Sequence, residues 1–106
     1  MLDLTKTAKR TMGIKLIDGK ELRLRMPTKA VFDALVGIQS RITNLQVNDI
    51  ETVNEIYGLL ATTLSNNLEH DQVDVEYVES ILDFEDLMNV FTAYMKFASG
   101  ASSDPN

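Results

Sequence analysis

The chain has 106 residues and no cysteine. That removes disulfide frameworks, thiolate metal sites, cysteine nucleophiles and iron–sulfur clusters together. Histidine occurs once, at His70, so one copy can build neither a histidine-based triad nor a multi-histidine metal site. Long hydrophobic runs are missing too. No stretch approaches the roughly 20 apolar residues of a membrane span, and Met1-Leu2-Asp3 opens no cationic-then-apolar signal region. The expectation is a cytoplasmic protein in a reducing setting. The 44% hydrophobic and 25% charged content suits one globular domain with a core of modest size.

Bases are nearly absent beyond residue 30. Only Arg41 and Lys96 stand there against thirteen acids, whereas eight of the ten bases precede residue 30, so an opening segment of +5 is followed by a body of −11. A basic start can be a nucleic-acid arm, but this one carries no interleaved aromatic residue and belongs to an acidic chain, which argues against nucleic acid. Two uses of the charge remain open. The basic segment can pack on the acidic helices of its own chain, or it can draw in the acidic body of a neighbouring copy in a salt-sensitive homo-oligomer.

Hydrophobic periodicity gives the fold class. Residues 1–11 show no sustained period and read as a flexible N-terminal arm. Met12, Ile14 and Leu16, then Leu22, Leu24 and Met26, alternate with polar residues or glycine on either side of Asp18-Gly19, which predicts a β-hairpin. A two-residue turn would set Leu16 against Glu21 and Ile14 against Arg23. A three-residue loop, Ile17-Asp18-Gly19 with a left-handed Gly19, pairs Ile14 with Leu22 and Met12 with Leu24 and is preferred. The apolar face Ile14, Leu16, Leu22 and Leu24 should then be buried on helices, because an isolated hairpin is marginal in water.

Pro27 ends the second strand and Thr28 can cap a helix. A first helix is predicted over about Thr28 to Thr43, with Val31, Ala34, Leu35, Ile38 and Ile42 inward and with Phe32 and Val36 meeting the hairpin. After a polar break at Asn44 to Asn48, where Asn48 and Glu51 form a capping-box pattern, a second helix should bury Ile50, Val53, Tyr57, Leu60, Ala61 and Leu64 and fray at Asn66-Asn67. Asp74 caps a short third helix with Val75, Val78 and Ile81 inward. Asp83 caps a fourth from Phe84 to Ser99, which Gly100 ends. The expected fold is α+β and helix-dominated, an N-terminal β-hairpin packed on a bundle of about four α-helices. It forms one domain over 12–100, followed by a disordered polar tail over 101–106.

Chemistry is scarce. Glu69, His70, Asp71, Asp74 and Glu76 lack the turn glycine and distant glutamate of a calcium loop and read as a solvated linker. Asp83, Glu85 and Asp86 suit the first turn of a helix without any catalytic role, and neither Gly13 nor Gly19 opens a phosphate loop. No catalytic residue, metal site or cofactor is predicted. What stands out is apolar width. On the fourth helix Phe84, Leu87, Met88, Phe91, Met95 and Ala98 already form a core-facing stripe, and Val90, Tyr94 and Phe97 widen it to about half the circumference on a 3.6-residue wheel. Either two neighbouring elements cover that arc, or Val90, Tyr94 and Phe97 form an exposed strip that binds a partner helix or another subunit.

A short strand, the turn Ile17-Asp18-Gly19-Lys20-Glu21, a second strand from Leu22 to Met26 and amphipathic helices ending in one that opens Asp86-Leu87-Met88 together resemble the tail assembly chaperones of long-tailed bacteriophages, over about residues 12–99. The resemblance implies a non-enzymatic protein of the host cytoplasm, absent from the mature virion, which coats the helical tape-measure protein before the tail tube polymerises. It also implies contact with the tube subunit through a frameshift-extended form. The family offers no catalytic residues to carry over. Two other readings stay open: a small adaptor or regulatory module that binds a partner helix through its C-terminal helix, and an oligomeric enzyme whose site is shared between subunits around His70.

Overall fold

Alternating apolar residues around an Asp-Gly pair produce the hairpin. The computed structural model describes residues 10–42 and 50–100. Within it β1 (Met12–Lys15) pairs antiparallel with β2 (Glu21–Leu24), Ile14 opposite Leu22 and Met12 opposite Leu24. The loop is the three-residue one: the Gly19 N–H donates to Leu16 O and the Leu16 N–H to Lys20 O, both at 2.8 Å. Gly19 takes φ +93°, a left-handed conformation a side chain would strain. Leu16, Leu22 and Leu24 are buried and Ile14 is half-buried. At roughly 2 kcal/mol for each fully buried leucine, these three contribute about 6 kcal/mol, so the core and not the short ladder holds the hairpin.

Four helices lie beyond it among the described residues: α1 (Lys29–Ile42), α2 (Ile50–Ser65), α3 (Val75–Ile81) and α4 (Phe84–Ser99). Their ends reflect local chemistry. Thr28 Oγ1 accepts from the Val31 N–H at 3.4 Å, Asp74 Oδ1 from Tyr77 at 2.9 Å and Asp83 Oδ1 from Asp86 at 2.8 Å, while Gly100, at φ +81°, caps α4. α2 is central and packs on α1, α3, α4 and β2. Arg41 bridges α1 to α2 through both oxygens of Glu55, at 3.0 and 3.1 Å. The arm as far as residue 9, the break with the Asn48 cap, the tail and the side chain of Ile42 lie outside the described residues.

The helical faces are rotated from those expected. On α2 the buried face runs through Thr52, Ile56, Leu60, Thr63 and Leu64, while Ile50 is 68% exposed and Val53 and Tyr57 are half-covered. Threonine scores as polar in a pattern, yet its methyl and small volume suit a close helix contact. Tyr57 sits at the margin, where its hydroxyl donates to Leu82 O at 2.9 Å. On α1 Leu35 and Ile38 are buried, whereas Ala34 and Val36 are exposed, so Val36 does not pack under the hairpin.

The segment after α2 is not a frayed end and a solvated linker. It folds back along the free side of β2. The Arg25 N–H donates to Asn66 O and the Leu68 N–H to Arg23 O, each at 2.9 Å, and Leu24 forms a single antiparallel bridge with Asn67. Asn67 is buried, with its amide donating to Leu64 O and Asp71 O while its carbonyl accepts from the Asp71 N–H. Ser65 Oγ closes the loop by accepting from the Val73 N–H and donating to Val73 O. Charge takes the same path: Glu69 accepts from the Arg23 backbone and guanidinium at 2.9 and 2.8 Å, and Asp71 lies 3.9 Å from Lys20. The basic hairpin thus meets acids of its own chain.

Two outcomes are expected. Asn67→Ala leaves the buried carbonyl of Leu64 and the part-buried backbone groups of Asp71 without partners and should cost about 2–3 kcal/mol in urea unfolding. The Tyr77 hydroxyl donates to Asp18 Oδ2 at the hairpin tip. That bond, and then the Lys20 N–H, holds the Asp18 carboxyl below its ordinary 3.8. Desolvation, then Asp18, pushes Tyr77 up to about 12. The depressed carboxyl stabilises the fold fully above pH 3.8 and loses its effect as pH falls through the folded value, while the raised phenol stabilises below pH 10 and is lost as pH rises through about 12. The stability gap between wild type and Tyr77→Phe should therefore be widest near neutrality and narrow at both extremes.

Candidate interaction surface

The heptad-like run Met88, Phe91, Thr92, Met95 and Ser99 places one face of α4 opposite Gln39 of α1. With Lys96 these residues line a groove of about 390 Å³. Phe91 and Met95 form its buried floor, Met88 is half-covered, and Thr92, Lys96 and Gln39 are exposed along its rim, as is Ser99 at the end. On the helical wheel Phe32 and Val36 of α1 lie on the same side as Gln39, and Val36 is 42% exposed. A groove with an apolar floor, a flexible thioether on its wall and a polar rim can receive one face of an amphipathic helix.

The expected strip of Val90, Tyr94 and Phe97 is elsewhere. Tyr94 is 1% and Phe97 6% exposed, and Val90 is half-buried against the core. The Tyr94 hydroxyl donates to Arg25 O at 2.7 Å, just past the end of β2, and burial pushes its pKa up to about 12. Phe97 tilts against Tyr94 with ring centroids 5.8 Å apart, and the Arg10 guanidinium lies over the Phe97 ring at 5.4 Å. The wide arc of α4 is thus shared between two neighbours, the helical body and the root of the hairpin. This corrects the exposed-strip expectation for Tyr94 and Phe97, which are buried, while Val90 is half-covered; the groove belongs to residues of the core-facing stripe and its flank. Phe84, also expected in that stripe, is exposed at the first position of α4.

His70 is exposed and adopts φ +59° in the loop before α3. Among the described residues no group of three or more His, Asp or Glu could hold a metal ion. Asp74 and Asp83 spend their carboxylates on helix caps, and Glu69 is held below the ordinary carboxylate range by the hydrogen bonds from Arg23. No helix of the described residues is long and apolar enough to cross a membrane. Compared with known proteins, the chain matches no protein-family model, no curated protein and no solved structure.

Burial of Phe97 sets a measurable expectation. Phe97→Ala should cost about 3–5 kcal/mol of folding stability in chemical denaturation, as for other buried phenylalanines. Tyr94→Phe, which strips only the donor to Arg25 O, should cost about 1–2 kcal/mol.

Proposed function

We propose that this chain is a non-catalytic tail assembly chaperone of a long-tailed bacteriophage, acting in the host cytoplasm. Its task is to coat the helical tape-measure protein and keep it soluble until the tail tube forms around it. The observation that carries the reading is the groove lined by α4 and Gln39 of α1, floored by Phe91 and Met95 and rimmed by exposed Thr92 and Lys96. The order of elements adds support, a hairpin with the Ile17-Asp18-Gly19-Lys20-Glu21 turn followed by amphipathic helices, as in the family the sequence resembles.

Physical chemistry fits the task. A tape-measure protein presents long apolar stripes on helices, which aggregate if left bare. A small protein of net charge −6 that covers one stretch of such a stripe in its groove also lends the complex like charge, which keeps copies of the complex apart in solution. Many weak grooves along one filament give avidity without any single tight site. Copies arranged along the filament form a homo-oligomer on that template, and the tube subunit joins later.

Co-expression with the long helical reading frame of the same phage tests this. Wild type should move the tape-measure protein into the soluble fraction. Thr92→Glu, on the exposed rim of the groove, should leave folding within about 0.5 kcal/mol yet lower the soluble yield several-fold, by setting a buried charge against an apolar helix. A tape-measure protein that stays insoluble with wild type, while an isolated amphipathic peptide from another protein binds the groove, would transfer the site to the adaptor reading.

A further inference from the structure

β1 is the edge of its sheet, and its outer side is built for a particular occupant. Arg23 of β2 turns its N–H to Glu69 and its C=O to Leu68, away from β1. Gly13, which faces Arg23 in the register, is therefore on the non-hydrogen-bonded side of that pair, and its own N–H and C=O point outward. Those of Thr11 and Lys15 point the same way, two residues to either side. Among the described residues no strand or loop pairs with this outer edge. Of the devices that blunt sheet edges, Met12–Lys15 has no proline, bulge or inward charge; it is short, and its one charge, Lys15, stands opposite Glu21 of its own hairpin.

The apolar layer is unfinished on the same side. Leu22 and Leu24 are fully buried, whereas Met12 and Ile14, on the same face one strand further out, are half-covered.

We infer that the outer edge of β1 pairs antiparallel with β1 of a second copy about a two-fold axis at Gly13, joining two hairpins into one continuous sheet. The register is self-complementary. Gly13 faces Gly13 of the second copy, and Thr11 faces Lys15 in both directions; all three are hydrogen-bonded pairs that use the outward groups. Met12 faces Ile14 in the closer, non-bonded positions and extends the apolar layer of each hairpin across the axis. No like charges stand directly opposite. A Cβ at Gly13 would meet nothing within 4 Å among the described residues, so a side chain can be placed there without a clash.

Charge favours a second copy over an acidic strand of another protein. Between Met12 and Leu24 each cation has an acid beside it: Arg23 pairs with Glu69, Lys20 lies 3.9 Å from Asp71, and Lys15 is across the ladder from Glu21 in the register. This inference does not depend on the chaperone reading, since it concerns the hairpin and not the groove. A four-residue edge buries less than a standard stable interface, so the dimer belongs in the micromolar range.

Sedimentation of the full chain from about 5 to 500 µM should show a monomer–dimer equilibrium in that range. Gly13→Pro removes an outward N–H and no bond of the β1–β2 ladder, a position where an edge strand accepts proline. It should weaken dimerisation by at least about tenfold with the helical circular dichroism unchanged. Should that variant unfold, Gly13→Cys answers independently, because it supplies the only thiol of the chain. Hydrogen-bonded partners have Cα atoms about 5.5 Å apart, within disulfide range, so Gly13→Cys should oxidise to a covalent dimer far faster than Gln72→Cys, an exposed control. A chain that stays monomeric throughout, or a dimer in which both cysteine variants cross-link at the same rate, overturns the inference. So does a dimer that salt dissolves while Gly13→Pro leaves it intact, which would assign the contact to basic and acidic surfaces.

Discussion

The backbone of β2 is the constraint on which the rest of the fold depends. Leu22 and Leu24 are wholly buried, which draws the strand into the core, where a peptide group without a hydrogen bond costs as much as the leucines contribute. β1 satisfies one side. The other side requires a second partner, and the chain supplies it from 66–68, directly after α2. The rest of the topology answers to that requirement. α2 must end beside β2, the loop after it must turn sharply on Asn67, and α3 must begin near the hairpin tip, where Tyr77 reaches Asp18. α4 then runs back so that Tyr94 reaches the carbonyl of Arg25, at the root of the same strand.

Much of this is legible in the sequence, and the reason differs from element to element. The hairpin register can be argued because only one loop length keeps apolar residues opposite apolar residues. Asp74, Asp83 and Gly100 mark helix ends because capping is a local interaction with a local signature. The return along β2 is not legible. Asn66-Asn67 carries the composition of a frayed end, and nothing local distinguishes an amide that waits for solvent from one that closes a buried turn. The rotation of α2 is hidden for a related reason: Thr52 and Thr63 count as polar until a neighbour arrives.

The candidate surface meets the same limit from another side. The apolar arc on α4 is wider than one neighbour requires, but width does not say who the neighbours are. Tyr94 and Phe97 turn inward because the hairpin root, more than sixty residues earlier in sequence, lies against them: Tyr94 bonds Arg25 and Phe97 packs on Tyr94 and under Arg10. With that side closed, the open ground on α4 moves to Met88, Thr92 and Ser99, on the flank towards α1. A long-range contact thus decides which half of one helix is available to another protein.

The same long-range contacts set an order of assembly during synthesis. Arg23 and Glu69 are 46 residues apart and Arg25 and Tyr94 are 69 apart, so the strand emerges from the ribosome well before either partner exists. Loops of that length close slowly, and a hairpin with a bare leucine face is marginal alone. The α1 and α2 pair, with nearer contacts, can collapse first, and the hairpin is captured once Asn67 has appeared. Until then the N-terminal strands are exposed apolar segments with unpaired edges, and that interval is when the nascent chain is most vulnerable to aggregation or to capture by a holding chaperone of the cell.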